Sequence, residues 1–444
     1  MGVIFSSRAT RIHFPDKPAY VSVAAKDECT ESRLSLRNLL ETKCPSLFEP
    51  FVPSWWLFNG HLQTIYCVLG DFTKTDKVIY DRKYLRLQDG GTLGLDFAPS
   101  HASVREDAPV IVVLHGLTGG SYESYVRCIV HPACTPEAEG GLGYRAVVVN
   151  FRGCANVPIT SQQLYSAGHT DDIRLALMYI SKLYPKAPLL GLGFSLGSNV
   201  MTRYIAEEGE KSRLVAGCAL ACPWDLACNN NALNSTLIGK HIYARGMGSN
   251  LLNLLKKHIQ PLSKDPEHRV AKALITALEL NNPTMEEFDN TFTRIAGGSP
   301  PTFPFDSATD YYNWASSHKV LGDVKVPFLA VNAADDPVVQ DVPMHGGDSG
   351  YVVMALTPKG GHLGWFEKDH GLDVKRWVTK PVLQWLRLMG TDVIHGDMPR
   401  GRPLHVSEDG FLREEGNDSI GCREIDGGGE FEGMESEAGL LQGL

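Results

Sequence analysis

Ala187-Pro188-Leu189-Leu190-Gly191-Leu192-Gly193-Phe194-Ser195-Leu196-Gly197 is an apolar run that closes on Gly-x-Ser-x-Gly. The run reads as a buried strand. The pentapeptide reads as a sharp strand-to-helix turn that lifts a serine hydroxyl into a cleft. Glycines at 193 and 197 have no Cβ, so neighbouring backbones can pass close to the turn. The next residues, Ser198-Asn199-Val200-Met201-Thr202-Arg203-Tyr204-Ile205, are polar and apolar at helical spacing, the context such a turn requires.

A serine hydroxyl is a weak nucleophile; it needs a base, and the base needs an acid to orient it. On a sheet of this kind the chain order is Ser, then Asp or Glu, then His. Val326-Pro327-Phe328-Leu329-Ala330-Val331-Asn332-Ala333-Ala334-Asp335-Asp336-Pro337 reads as a buried strand ending in acids. Tyr351 to Leu356 is a further strand that runs into Thr357-Pro358-Lys359-Gly360-Gly361-His362. Ser195, Asp336 and His362 are therefore the expected catalytic set, with Asp335 the alternative acid. Upstream, Pro109 to Leu114 is an apolar strand followed by His115-Gly116-Leu117-Thr118-Gly119-Gly120. Its loop and the residue after the serine supply the expected oxyanion donors, the backbone amides of Leu117 and Leu196. His115 is assigned to supporting that loop.

Working outward, strands are predicted at 109–114, 145–151, 187–194, 213–221, 326–332 and 351–356, with helical stretches between them. That alternation predicts an α/β fold with a mostly parallel central sheet flanked by helices. Residues 78–98 alternate around Gly90-Gly91 and read as an antiparallel hairpin. Residues 46–222 and 320–394 form the expected core, and 223–319 a helical cap inserted over the site. Trp224, Leu237, Ile238, Ile242, Tyr243, Met247, Leu251 and Leu254 are candidate lining residues of an acyl pocket, against the alternative that they pack the cap itself. Residues 371–390 read as an amphipathic helix with a kink or restart at Pro381. Thr170 is a candidate helix cap, and Arg152 a partner for Asp171 or Asp172. Residues 1–45 read as irregular, and the Gly- and acid-rich 395–444 as a disordered tail.

The chain resembles the alpha/beta-hydrolase superfamily. More narrowly it resembles the AB hydrolase type 4 family of embryogenesis-associated hydrolases, yeast medium-chain ethyl-ester synthases and animal lipid hydrolases. The resemblance rests on Asn59-Gly60-His61-Leu62-Gln63-Thr64, the His115 to Gly120 loop, Asn150-Phe151-Arg152-Gly153-Cys154 and Tyr165 to Asp172. It rests also on the turn at Ser195, Ala333 to Pro337, and Gly360-Gly361-His362-Leu363-Gly364, and spans about residues 50–390. It implies the alpha/beta-hydrolase fold and Ser195, Asp336 and His362 as the triad. It further implies a serine hydrolase of short- to medium-chain fatty acyl esters, acylglycerols or phospholipids, working through an acyl-enzyme, with acyl transfer to an alcohol as a variant. A lipid-binding protein on the same scaffold, a thioesterase and a peptidase are the alternatives, which the serine motif alone does not separate.

The 444 residues carry a formal charge of −9, and 395–444 hold nearly all of it: from 401 onward there are 3 Arg against 11 Asp and Glu. The near-neutral body shows no nucleic-acid footprint. Ten cysteines are scattered; Cys218, Cys222 and Cys228 have no zinc spacing, and neither metal nor cofactor is expected. No apolar run approaches the ~18 residues of a membrane span. Met1-Gly2-Val3-Ile4-Phe5-Ser6 fits the N-myristoylation pattern. The expected location is cytoplasmic, with membrane association through an acylated Gly2 as the alternative.

Overall fold

The computed structural model describes residues 9–24, 31–100, 104–396 and 400–433. Gly2 lies outside the described residues. In chain order the strands are β1 (Arg11–His13), β2 (Tyr20–Ala24), β3 (Glu31–Ser35), β4 (Ile79–Leu87), β5 (Thr92–Ala98), β6 (Val110–Leu114), β7 (Arg145–Asn150) and β8 (Leu189–Phe194). They continue as β9 (Leu214–Leu220), β10 (Phe328–Ala333), β11 (Val352–Thr357), β12 (Phe366–Lys368), β13 (Val374–Arg376), β14 (Leu404–Val406), β15 (Leu412–Glu414) and β16 (Asn417–Glu432). Twelve of them form one sheet in the order β1-β11-β10-β9-β8-β6-β7-β5-β4-β16-β15-β14. The six from β11 to β7 are mutually parallel. β5 and β4 extend them as an antiparallel hairpin.

The central strands are apolar because both faces are covered, as parallel strands require. In β6 every residue is buried. Val110, Val112 and Leu114 enter one core layer, and Ile111 and Val113 the other. The flanking helices are α1 (Leu36–Lys43), α2 (Gly60–Leu69), α3 (Ser124–Cys134), α4 (Asp171–Leu183) and α5 (Leu196–Glu208). Between β9 and β10 the chain inserts α6 (Leu226–Ser235), α7 (Arg245–Lys257), α8 (Ile259–Leu262), α9 (Arg269–Leu278), α10 (Met285–Phe288), α11 (Arg294–Ala296) and α12 (Ala308–Ala315). A π-helical turn, Gly239–Ala244, joins α6 to α7. α13 (Thr379–Arg387) closes the sandwich.

Several expectations need correction. The first 45 residues are not irregular: β1 pairs antiparallel with β11, β2 and β3 form a ribbon, and the Ser35 side chain caps α1 through the Asn38 N–H at 3.3 Å. Elements this short carry too few residues for a periodic signal. The acidic tail is not disordered through 404–432. There β16 pairs along β4, from Cys422 opposite Leu87 to Glu432 opposite Ile79. Its glycines serve a bulge, with the register shifting between Ile425 and Gly429 and φ at +114° in Gly427. Its acids meet cations: Glu424 lies 3.3 Å from Lys83, and Glu414 lies 2.7 Å from Arg213 in a buried pair. Of the 371–390 helix only 379–387 is α-helical; β13 occupies its start, and Pro381 sits in the first turn of α13, where no N–H is needed. The Thr170 side chain does not cap α4; its hydroxyl donates to Glu207 at 2.5 Å. Arg152 does pair with Asp172, at 2.7 and 2.8 Å.

Candidate active site

Ser195 sits between the end of β8 and the start of α5 with φ +49° and ψ −121°, a strained backbone for a residue with a Cβ. The turn is enforced from both sides. A Cβ on Gly193 would lie 2.6 Å from the Ser198 Cα, and one on Gly197 would lie 2.4 Å from the Leu114 carbonyl oxygen. These two close approaches are why both glycines are needed.

The loops after β10 and β11 bring the other two groups to the serine. Ser195 Oγ lies 2.8 Å from His362 Nε2, and His362 Nδ1 lies 2.8 Å from Asp336 Oδ2. All three residues are buried. A carboxylate only accepts, so the Nδ1 proton points at Asp336 and leaves Nε2 as an acceptor for the serine hydroxyl. The second Asp336 oxygen accepts the N–H groups of Val338 at 2.7 Å and Val339 at 3.0 Å. Those bonds fix the carboxylate's rotamer. Asp335 faces elsewhere. Its Oδ1 accepts the Gly361 N–H at 3.0 Å, and its buried Oδ2 has no partner among the described residues. Burial raises its carboxyl above the ordinary range, against the pull of the Gly361 N–H.

The loop after β6 lies against the serine: a Cβ on Gly116 would be 3.5 Å from the Ser195 Cβ. Two tyrosines hold it. Tyr125 Oη accepts the Gly116 N–H and Tyr165 Oη the Thr118 N–H, each at 3.0 Å. Between them the Leu117 N–H has no protein partner among the described residues. Leu196 opens α5, so its N–H has no acceptor within the helix. His115 bonds the Gly116 carbonyl through Nδ1 at 2.7 Å and accepts the Phe151 N–H through Nε2 at 3.2 Å. Burial pushes its imidazole down to about 4, so it stays neutral as a brace.

Asn59 to Thr64 carries part of the family resemblance, and its sequence suggests no more than a hydrogen-bonded structural role for His61. The structure shows what the stretch does. Asn59 caps α2 through the Leu62 N–H at 3.0 Å. Thr64 Oγ1 accepts the His362 N–H at 2.8 Å. Gln63 donates to the carbonyls of Leu57 and Phe366 and accepts the Phe366 N–H, clamping the far side of the histidine loop. A Cβ on Gly60 would lie 1.7 Å from the Asp335 carbonyl oxygen, so only glycine lets α2 dock here. His61 Nδ1 then reaches Tyr243 Oη at 2.8 Å and ties α2 to the inserted helices. Burial, with the Asp336 charge nearby, raises the Tyr243 phenol above its usual range. These tasks are long-range pairings, so spacing along the chain carries no signal for them.

Of the candidate lining residues, Trp224 is buried and donates to Asn332 at 3.0 Å, while Met247, Leu251 and Leu254 pack in the core. Leu237, Ile238 and Ile242 do not line an enclosed pocket: they stand on the outer surface, Leu237 at 80% exposure. Among the described residues no His, Cys, Asp and Glu group is placed to hold a metal ion, and no helix is long and apolar enough to cross a membrane.

A strained serine at a strand end, with donors and an acid–base pair from neighbouring strand ends, defines a hydrolase of the alpha/beta type. Residues 109–345 match the family model described as alpha/beta hydrolase fold. The chain is 31% identical to a monoacylglycerol lipase of Saccharomyces cerevisiae, over 85% of this chain and 90% of that one. It is 28% identical to the medium-chain fatty acid ethyl ester synthase/esterase 2 of the same yeast, over 76% and 85%. It is also 28% identical to the human phospholipase ABHD3, over 78% and 81%. The chain belongs to the alpha/beta-hydrolase family, in the AB hydrolase type 4 branch that holds these relatives.

Proposed function

We propose that this chain cleaves fatty acyl esters by two-step acyl transfer at Ser195. It is a carboxylic ester hydrolase, and the finer reading rests on one observation: the unbroken line from Asp336 through His362 to Ser195, with 2.8 Å at each step. His362 Nε2 takes the serine proton as Oγ attacks the ester carbonyl. Asp336 holds the imidazole and stabilises its cation. The Leu117 and Leu196 amides receive the negative oxygen, a contribution of about 2.7–4 kcal/mol for each donor. His362 then protonates the departing alcohol. Water, activated by the same imidazole, releases the fatty acid; an alcohol in its place gives a new ester. The substrate class is a short- to medium-chain acyl ester, an acylglycerol or a phospholipid, supported by what the relatives' names state of those proteins.

Hydrolysis of p-nitrophenyl esters across acyl lengths, with Ser195→Ala in parallel, tests the reading. Serine-dependent turnover that peaks at short to medium chains is expected. Turnover that survives in Ser195→Ala, or none from folded protein on nitrophenyl esters, acylglycerols and phospholipids alike, overturns it.

A further inference from the structure

Three segments far apart in sequence meet beside the catalytic residues. One is the stretch into α2, which carries Trp55 at 71% exposure and Phe58, also exposed. The second is the π-helical turn with Leu237 and Ile238 just before it and Ile242 inside it, all exposed. The third is the loop that delivers His362. The contacts between them are direct: His61 bonds Tyr243, Lys359 Nζ donates to the Phe58 carbonyl at 2.5 Å, and Gly60 abuts Asp335. Large apolar side chains exposed together in one neighbourhood mark a surface that something covers.

Charge says what kind of surface covers it. Lys359 is exposed on the loop that delivers His362, where its ammonium reaches the Phe58 carbonyl beside the apolar side chains. Lys240 stands exposed inside the apolar turn with no ion pair among the described residues. Exposed Trp, Phe, Leu and Ile side chains with the exposed ammonium groups of Lys240 and Lys359 among them complement an anionic lipid surface: the apolar tips enter the headgroup boundary and the cations meet the phosphates and carboxylates.

We propose that Trp55, Phe58, Leu237, Ile238 and Ile242, with Lys240 and Lys359, form a rim that docks the catalytic face onto a bilayer containing anionic lipid. The rim is independent of any acyl group at Gly2. It deepens the ester-hydrolase reading on which it rests, because it presents Ser195 to esters that reside in a membrane.

Two separate readouts test it on the full chain, produced without an N-terminal acyl group. Co-sedimentation uses Ser195→Ala protein with phosphatidylcholine vesicles, with and without phosphatidylserine, so that turnover plays no part. Phosphatidylserine-dependent binding is expected. The combination Trp55→Ser, Leu237→Ser and Ile242→Ser should weaken it about tenfold or more, and Lys240→Gln should weaken it on phosphatidylserine vesicles alone. In the serine-195 background, the same rim substitutions should leave turnover of a soluble short-chain nitrophenyl ester unchanged. Vesicle binding that persists in the rim variant overturns the proposal. So does parallel loss of soluble-ester turnover, or a dimer in solution that the rim variant converts to monomer. Failure of Ser195 to support turnover while vesicle binding holds would overturn the catalytic reading and leave the rim standing.

Discussion

Two edges of one sheet behave in opposite ways. At the carboxyl ends of β6, β8, β10 and β11 the proposed catalytic groups hang on loops held by close approaches and hydrogen bonds to particular residues. At the far edge, β14–β16 attach mainly through backbone pairing with β4, and backbone pairing is indifferent to residue type. The first edge concentrates strain, at Ser195 with φ +49°, and long-range hydrogen bonds to loops. The second edge spreads its stabilisation along a 16-residue strand and one buried ion pair. Substitution at the first edge should therefore abolish chemistry and spare the fold, and substitution at the second should do the reverse.

The largest expected effect is Ser195→Ala: ester turnover falls on the order of a millionfold, while circular dichroism and the unfolding midpoint stay near those of the parent. Next, Asp336→Asn should lower kcat about 10⁴-fold by fixing the wrong imidazole tautomer. Asp335→Asn, whose carboxylate does not touch His362, should keep kcat within about tenfold. Steady-state kinetics on one soluble ester decides both, and equal losses would erase the distinction between the two aspartates. At the other edge, Glu414→Ala takes the counter-charge from the buried Arg213 guanidinium, which keeps only the Arg400 and Arg402 carbonyls among the described residues. Stability should drop by about 3–5 kcal/mol in denaturant titration, with kcat per folded molecule intact. A catalytic loss as large as that of Asp336→Asn would break the comparison.

The smallest effect is a pH dependence. His115 is held neutral by burial down to about 4, whereas an exposed histidine takes up its proton near 6.5. Between those values the unfolded chain binds the proton and the folded one does not. The stabilisation is thus complete above about 6.5 and fades as pH falls toward 4, by up to roughly 3 kcal/mol. Thermal unfolding of the parent and of His115→Gln across that range checks it; the variant should show the shallower slope.

The same contrast explains how much of the molecule its sequence discloses. The central strands and the order Ser195, Asp336, His362 are legible because strand burial and the serine turn each restrict residue type locally. The proposed donors Leu117 and Leu196 are read from where the loops fall, since a backbone donor depends on position and not on side chain. The tasks of Gln63, Thr64 and His61 are not legible, because each exists only once α2 docks on the loops after β10 and β11. β16 is hidden by its own composition: glycine and acid are the signature of a disordered tail until Lys83, Arg213 and the edge of β4 are there to meet them. The exposure of Leu237 and Ile242 is likewise invisible in a helical pattern that suits either a core or a surface.

The central claim is that one serine carries the acyl group. Incubation of the folded protein with a fluorophosphonate ester, followed by peptide mass spectrometry, addresses it directly. The account predicts a single phosphonylated peptide that contains Ser195, and no label in His362→Ala. Ester turnover accompanied by label at another residue, or by none, would contradict it.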